Sequence, residues 1–278
     1  MIAGIRRITE SALFSLGLYV VINQTRTSDV LGLVRKLRPL DCGIDLIRVG
    51  GSGDGGYLIP DDLDGIEYCF SPGVSSISEF ENQLANRNIK SFLADFSVDG
   101  PAIYRPEFEF DKKFVGPNDS DRFITLASWK DKYLKDYRGD LILQMDIEGF
   151  EYAVVLSAPD SLLDQFRIIV IEFHGLEKLF DPFVFEYISS SFDKLLKSFY
   201  VAHIHPNNFC GSVERNGIRV PRAMEFTFLN KRRARHTSPQ LTFPHRLDED
   251  NIQRASLPLP KCWYSWPYDC PESAGLNL

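Results

Sequence analysis

The sequence predicts an α/β protein: a doubly wound sheet, mostly parallel, whose last strand runs antiparallel. Three observations predict it. Residues 141–145 and 166–174 are mostly apolar runs, the pattern of strands covered on both faces by helices. Such runs alternate along the chain with stretches of helical period, as βαβ units require. The last two apolar runs, 199–205 and 223–230, have only a loop between them, so they pair antiparallel.

Composition sets the outer bounds. The chain of 278 residues is 44% apolar with a net charge of −7, which suits a globular protein with a sizeable core and gives no reason to expect nucleic-acid binding. Five cysteines, odd in number and without a CxxC pair, suit free thiols in a reducing compartment, so the cytoplasm is expected.

Residues 2–38 read as one or two helices closed by Pro39. Within them Arg6 and Arg7 precede an apolar run at 12–22. It is too short to span a bilayer and lacks a cleavage site, so it reads as an amphipathic helix, packed or lying on a membrane surface. Residues 1–40 are therefore taken as a helical extension, 41–231 as the main domain and 232–278 as an irregular tail, rich in Pro and aromatics, folded back over it. Residues 50–56 hold five glycines and allow close backbone approach to a ligand, but no Lys-Ser/Thr follows to make a P-loop.

A strand at 66–70 runs into a tight turn, Ser71 to Ser76, and a helix at 79–87. There Ser78 and Glu81 have the spacing of a capping box. The strand at 90–96 ends in Asp95, about 20 residues after the turn, where a nucleotide-binding α/β unit places a carboxylate on ribose hydroxyls. A third strand is expected at 108–116 and a helix at 125–137. The run at 141–145 then enters a cluster of carboxylates, Asp146, Glu148 and Glu151, with Gly149 loosening the turn before a helix at 150–156. Asp146 ends its strand, where ligands bind in open α/β sheets. The strand at 166–174 carries Glu172 and His174 on one face. A helix at 182–197 and a strand at 199–205, with His203 and His205 sharing a face, lead to the final strand. The basic run at 231–236 reads as a solvated strand exit.

Taken together, these residues resemble the FkbM-type S-adenosylmethionine-dependent methyltransferases. The resemblance runs from about residue 47 to 260. It rests on Arg48…Asp54-Gly55-Gly56-Tyr57, Phe70-Ser71-Pro72-Gly73-Val74…Phe80-Glu81, Asp95 and Met145-Asp146-Ile147-Glu148-Gly149-Phe150-Glu151. Ile171-Glu172-Phe173-His174, His203 to Asn208, and Pro244…Leu247-Asp248…Asn251 complete it. It implies the class I methyltransferase fold. Ser71, Gly73 and Ser75 would then lie under the methionine part of the cofactor, and Asp95 would hold the ribose. Asp54, Gly55 and Tyr57 would close over the site, with Glu81 and Asp146 among the cofactor contacts. Ser75 stands where the family turn usually has a second glycine.

Methyl transfer to a hydroxyl needs alignment and a base. His174 is the first candidate, with Asp146, His205 and His203 beside it, because histidine titrates near working pH. Asp146, Glu172, His174 and His205 also supply the hard ligands of a divalent cation such as magnesium; the first three form the expected set. The resulting expectation is an O-methyltransferase acting on a sugar hydroxyl in a polysaccharide or glycolipid, cytoplasmic or peripheral at the inner membrane face. A natural-product O-methyltransferase and a non-catalytic module retaining the fold are the alternatives. A dehydrogenase is disfavoured by the missing G-x-G-x-x-G after the first strand.

Overall fold

The computed structural model describes residues 13–16 and 24–265. The expectations for the amphipathic helix at 12–22 and for the end of the tail fall largely outside them. Seven strands form the central sheet: β1 (Tyr68–Pro72), β2 (Lys90–Ala94), β3 (Phe108–Asp111), β4 (Leu141–Met145), β5 (Phe166–His174), β6 (Phe199–Pro206) and β7 (Ala223–Asn230). Their order is β6-β7-β5-β4-β1-β2-β3. All neighbours are parallel except β7, which runs antiparallel to both β5 and β6. This is the class I methyltransferase arrangement, as expected. The chain reverses its order between β1 and β4, and that switch point sets where a ligand can lie.

The helices are α1 (Thr27–Lys36), α2 (Glu79–Ala85), α3 (Leu126–Leu134), α4 (Glu151–Ser157), α5 (Asp160–Leu163) and α6 (Pro182–Ser198). On one sheet face α1, α3, α4 and α6 cover Phe70, Leu143, Ile169, Ile171 and Phe226. Phe192 of α6 shows how tightly: fully buried, it lies 4.5 Å from the Phe173 ring and 5.1 Å from that of Phe226. Cutting it to alanine would cost about 3–5 kcal/mol. The second face is covered differently. There α2 shares the work with a β-hairpin, Leu46–Val49 paired to Tyr57–Pro60, which packs Val49, Tyr57 and Ile59 against Cys69, Ile142 and Val170. The glycine-rich loop is the tip of that hairpin.

Several local expectations are corrected. β1 runs on to Pro72, because Ser71 and Pro72 still pair with Leu93 and Ala94 of β2; the turn begins at Gly73. The capping box does not form. Ser78 Oγ accepts from the Ile103 N–H at 3.0 Å, and Glu81 turns inward to the Ser71 hydroxyl. The strand expected at 108–116 divides into β3 and a short segment, Phe114–Val115, paired with Phe123–Ile124. Between β6 and β7 stands a second hairpin, Ser212–Arg215 with Ile218–Pro221, rather than a plain loop. The basic run is a set of tethers as much as a solvated exit. Arg233 grips both oxygens of Asp62, Arg232 reaches Asp140, and Lys231 caps the last carbonyls of α6.

Among the described residues no helix is long and apolar enough to cross a membrane, and Cys42, Cys69, Cys210 and Cys262 are free thiols.

Candidate active site

At the carboxyl ends of β1, β2 and β4 the structure holds a cavity of about 610 Å³. Gly73 makes it possible. At φ +89° it passes so close to β4 that a Cβ would lie 1.6 Å from the Asp146 carbonyl oxygen. Its N–H bonds Ala94 O at 2.9 Å, while the Asp146 N–H reaches Pro72 O at 3.3 Å. The turn is thus clamped between two strand ends. Asp95 secures its far side: one carboxylate oxygen accepts the Ser75 N–H at 2.9 Å, the other the N–H and hydroxyl of Ser97 at 2.7 Å. A carboxylate oxygen has room for a further donor, so Asp95 can hold the turn and still meet a ribose hydroxyl.

Three aromatic side chains, Phe114, Phe123 and Phe150, form another wall, with neighbouring ring centroids 5.6 Å apart. Such rings suit the flat face of a purine. Asp54, Gly55 and Tyr57 of the hairpin complete the lining over Glu81 and Asp146. Ser71 does not reach the cavity; buried beneath it, its hydroxyl faces Glu81 and Gln144.

Asp146 belongs both to the cavity and to a second group of side chains. Beyond it Glu148 and Gly149 both take positive φ, +55° and +107°, so the chain doubles back and carries Glu148 toward β5. Left-handed backbone is uncommon for a residue with a side chain, and it marks a constrained site. The His174 Nε2 lies 3.9 Å from Asp146, 3.6 Å from Glu148 and 3.6 Å from Glu172. Its Nδ1 faces Glu151 Oε1 at 3.1 Å. That oxygen already accepts the N–H groups of Ile147 and Gly149, so Nδ1 carries its proton toward it. The ring orientation is fixed, and Nε2 points at the carboxylates.

Charge is costly here. Burial raises Asp146 well out of the usual carboxylate range, opposing the pull of His174, with Glu148, Glu151 and Asp54 adding to the rise. Burial, then Asp146 and Glu225, raises Glu172 as well. For His174 burial works downward, but the bond and charge of Glu151, with Glu172 and Asp146, outweigh it and raise the imidazole. One Asp146 oxygen and one Glu172 oxygen are buried without a hydrogen-bond partner. Buried polar atoms are seldom left so.

Of the ligand set expected from the sequence, Asp146 and His174 come together as donors, and Glu172 lies 3.6 Å from His174 Nε2. Asp146, Glu148 and His174 offer ligand atoms within 4.8 Å of one another, whereas Glu172 is held by the side-chain amide of Asn207 at 2.7 Å. His205 stands apart. It occupies the far end of a row across the sheet: His205 pairs with Glu225, Glu225 with Glu172, and Asp146 follows directly on the Met145–Ile171 pair. Its ring faces Asp248, which also binds His203 at 2.8 Å. The two histidines are therefore joined by a tail carboxylate rather than orienting one another. The aromatic wall and Glu148 gave no combined signal in the sequence, since their positions follow no common period.

No curated protein sequence matches this chain. Among solved structures it is similar to a chain of a fibrillarin/Nop5p complex, at 8% identity over 60% of this chain and 74% of that one, with a TM-score of 0.35. It is similar also to a mutant 16S rRNA (adenine(1408)-N(1))-methyltransferase from Catenulisporales acidiphilia, at 11% identity over 67% and 98%, TM-score 0.29. A protein of echinomycin biosynthesis, tied to conversion of a disulfide bond into a thioacetal group, matches at 12% identity over 61% and 78%, TM-score 0.29. Likeness at this level bears on neither substrate nor partner. Residues 120–203 match the family model of the methyltransferase FkbM domain. That stretch contains Asp146, Glu148, Glu151, Glu172 and His174, so the segment holding the whole carboxylate–histidine group is similar to the FkbM methyltransferases, as the sequence motifs imply.

Proposed function

We propose that the protein is an O-methyltransferase that binds S-adenosylmethionine in the cavity and methylates a hydroxyl of a sugar, in a polysaccharide or glycolipid. One observation carries the reading: Asp146 and Glu148, which line the cavity below the Gly73 turn, also face His174 Nε2 at 3.9 and 3.6 Å, so donor and acceptor regions share these carboxylates. The cavity fits the cofactor by chemistry. Aromatic rings at one end suit the base, Asp95 suits the ribose, and Glu81 and Asp146 suit its cationic end. When bound, the cofactor supplies a methyl carbon activated by its sulfonium.

The protein then has to align an acceptor hydroxyl in line with that carbon and receive its proton as the C–O bond forms and the C–S bond breaks. Asp146 is the group suited to take the proton, because burial raises it toward neutrality. His174, locked by Glu151, is held as a cation among carboxylates and orients Asp146 from 3.9 Å. Isothermal titration with S-adenosylhomocysteine, followed by a screen of glycan acceptors for its release, tests the reading. A folded sample that binds none of this product rejects it.

A second reading concerns a metal. The convergence of Asp146, Glu148 and His174, with a buried Asp146 oxygen lacking a partner, fits a hard divalent cation. Held there, such an ion would lower the pKa of an acceptor hydroxyl. Turnover abolished by a chelator and restored by magnesium supports it; turnover indifferent to both leaves Asp146 acting alone.

A further inference from the structure

The turn after β6 lies on the rim beside the carboxylates, and it is unusually well fixed for an exposed segment. The Asn207 N–H binds Ala223 O at 3.0 Å. Its side chain works in both directions: the amide nitrogen donates to Glu172 at 2.7 Å, and the amide oxygen accepts the Phe209 N–H at 2.8 Å. Asn208 exchanges two bonds with Ile252, at 3.0 and 3.1 Å. Both asparagines are buried, yet Phe209 between them and Cys210 is 61% exposed. The Arg254 guanidinium lies 5.3 Å from its ring centroid. A lone exposed phenylalanine needs no explanation. A turn tied by five hydrogen bonds, one of them to Glu172, that presents a bare ring does need one.

We propose that Phe209 is the acceptor-specificity residue, its ring stacking on the C–H face of a neutral, hydroxyl-bearing ring while Asn207 sets its distance from Glu172. This rests on the methyl-transfer reading and narrows it. The acidic surroundings disfavour an anionic acceptor. A cationic one would meet a ring already approached by Arg254, whose guanidinium takes the cation's place over the π-system. A pyranose fits what remains. Its axial C–H groups are weakly positive and complement the ring face, while its hydroxyls suit the carboxylates Asp146 and Glu148 that line the cavity.

The test uses the full chain saturated with S-adenosylhomocysteine and saturation-transfer NMR with the methyl glycosides of glucose, galactose, mannose and rhamnose. Tetramethylammonium and glucose 6-phosphate serve as cationic and anionic comparisons. Wild type should bind at least one glycoside through its ring C–H protons and neither charged probe. Phe209→Ala should weaken that binding roughly tenfold, and Phe209→Trp should retain it, with thermal midpoint and S-adenosylhomocysteine affinity unchanged in both. Equal glycoside binding by Phe209→Ala, preference for a charged probe, or no glycoside bound by wild type overturns the inference while intact S-adenosylhomocysteine binding leaves the methyl-transfer reading standing. Loss of S-adenosylhomocysteine binding by wild type would instead sink that reading and the inference with it.

Discussion

Replacing Glu81 by glutamine should stabilise the cofactor-free protein at alkaline pH and leave it almost unchanged at acid pH. Glu81 is 2% exposed, and its carboxyl meets the Ser71 hydroxyl. That hydroxyl has a second acceptor, Gln144 Oε1 at 2.6 Å, but only one proton to give. The Gln144 amide nitrogen is already committed to the Tyr57 hydroxyl at 3.2 Å. Every contact is satisfied when Glu81 is protonated and donates to Ser71, which then donates to Gln144. Burial pushes Glu81 up from 4.5 to about 7, against the opposing effect of the Ser71 bond. Unfolded, the same carboxyl titrates near its ordinary value. Between the two the folded state holds the extra proton, so stability falls as pH rises through that window and the loss is complete above the folded value. The magnitude is about 3 kcal/mol. Glutamine offers an N–H to Ser71 Oγ without titrating. Urea denaturation of both proteins at pH 4.5, 6, 7 and 8.5 reads the difference, with the variant gaining about 3 kcal/mol over wild type across that range. Parallel stability curves would refute both the protonated network and its assignment to Glu81.

Other perturbations follow from the same geometry. His174→Asn should lower turnover by about 100-fold or more while S-adenosylhomocysteine titration still shows a bound product, because the ring lies outside the cavity lining. Gly73→Ala forces a Cβ into the Asp146 carbonyl at positive φ and should cost at least about 2 kcal/mol in urea unfolding and abolish cofactor binding. Asn251→Ala removes the donor to Glu225 at 2.9 Å. It should lower stability by about 1–3 kcal/mol, with a smaller loss of S-adenosylhomocysteine affinity, since the Asn251 carbonyl still holds the Asp54 N–H of the glycine loop.

How much of this was legible in the sequence depended on whether the cause was local. β5 and β7 fall where expected because a mostly apolar run records burial on both faces. Asp146 and the Glu172–His174 pair were legible too, one from its place at a strand end, the others from the two-residue period. Glu81 was misread because Ser-x-x-Glu is a valid capping signal, and the competing partner, Ser71, sits on a neighbouring strand where spacing cannot reveal it. Glu148 joined the convergent group through its own left-handed backbone, a choice that the side-chain sequence does not encode when glycine is absent. The hairpin around the glycine loop was missed because its two strands are only four residues each, too short to show a period.

The deeper limit is register. Asp146 just past β4, Glu172 of β5, Glu225 of β7 and His205 of β6 lie in one row, yet along the chain they are separated by two crossovers and a hairpin connection. Only the sheet order makes neighbours of them, and it makes Glu225, unnoticed in the sequence, the link between two residues that were noticed. The same row explains why His205 and His174 do different work. His174 ends its strand against the rim carboxylates, while His205 is separated from them by two strands and is held by Asp248 from the tail. The tail also supplies Asn251 to Glu225 and Ile252 to Asn208. It therefore braces the β6 and β7 side of the row and, through the Asn251 carbonyl, the Asp54 N–H at the cavity, which gives the 245–254 segment a structural reason to lie where it does.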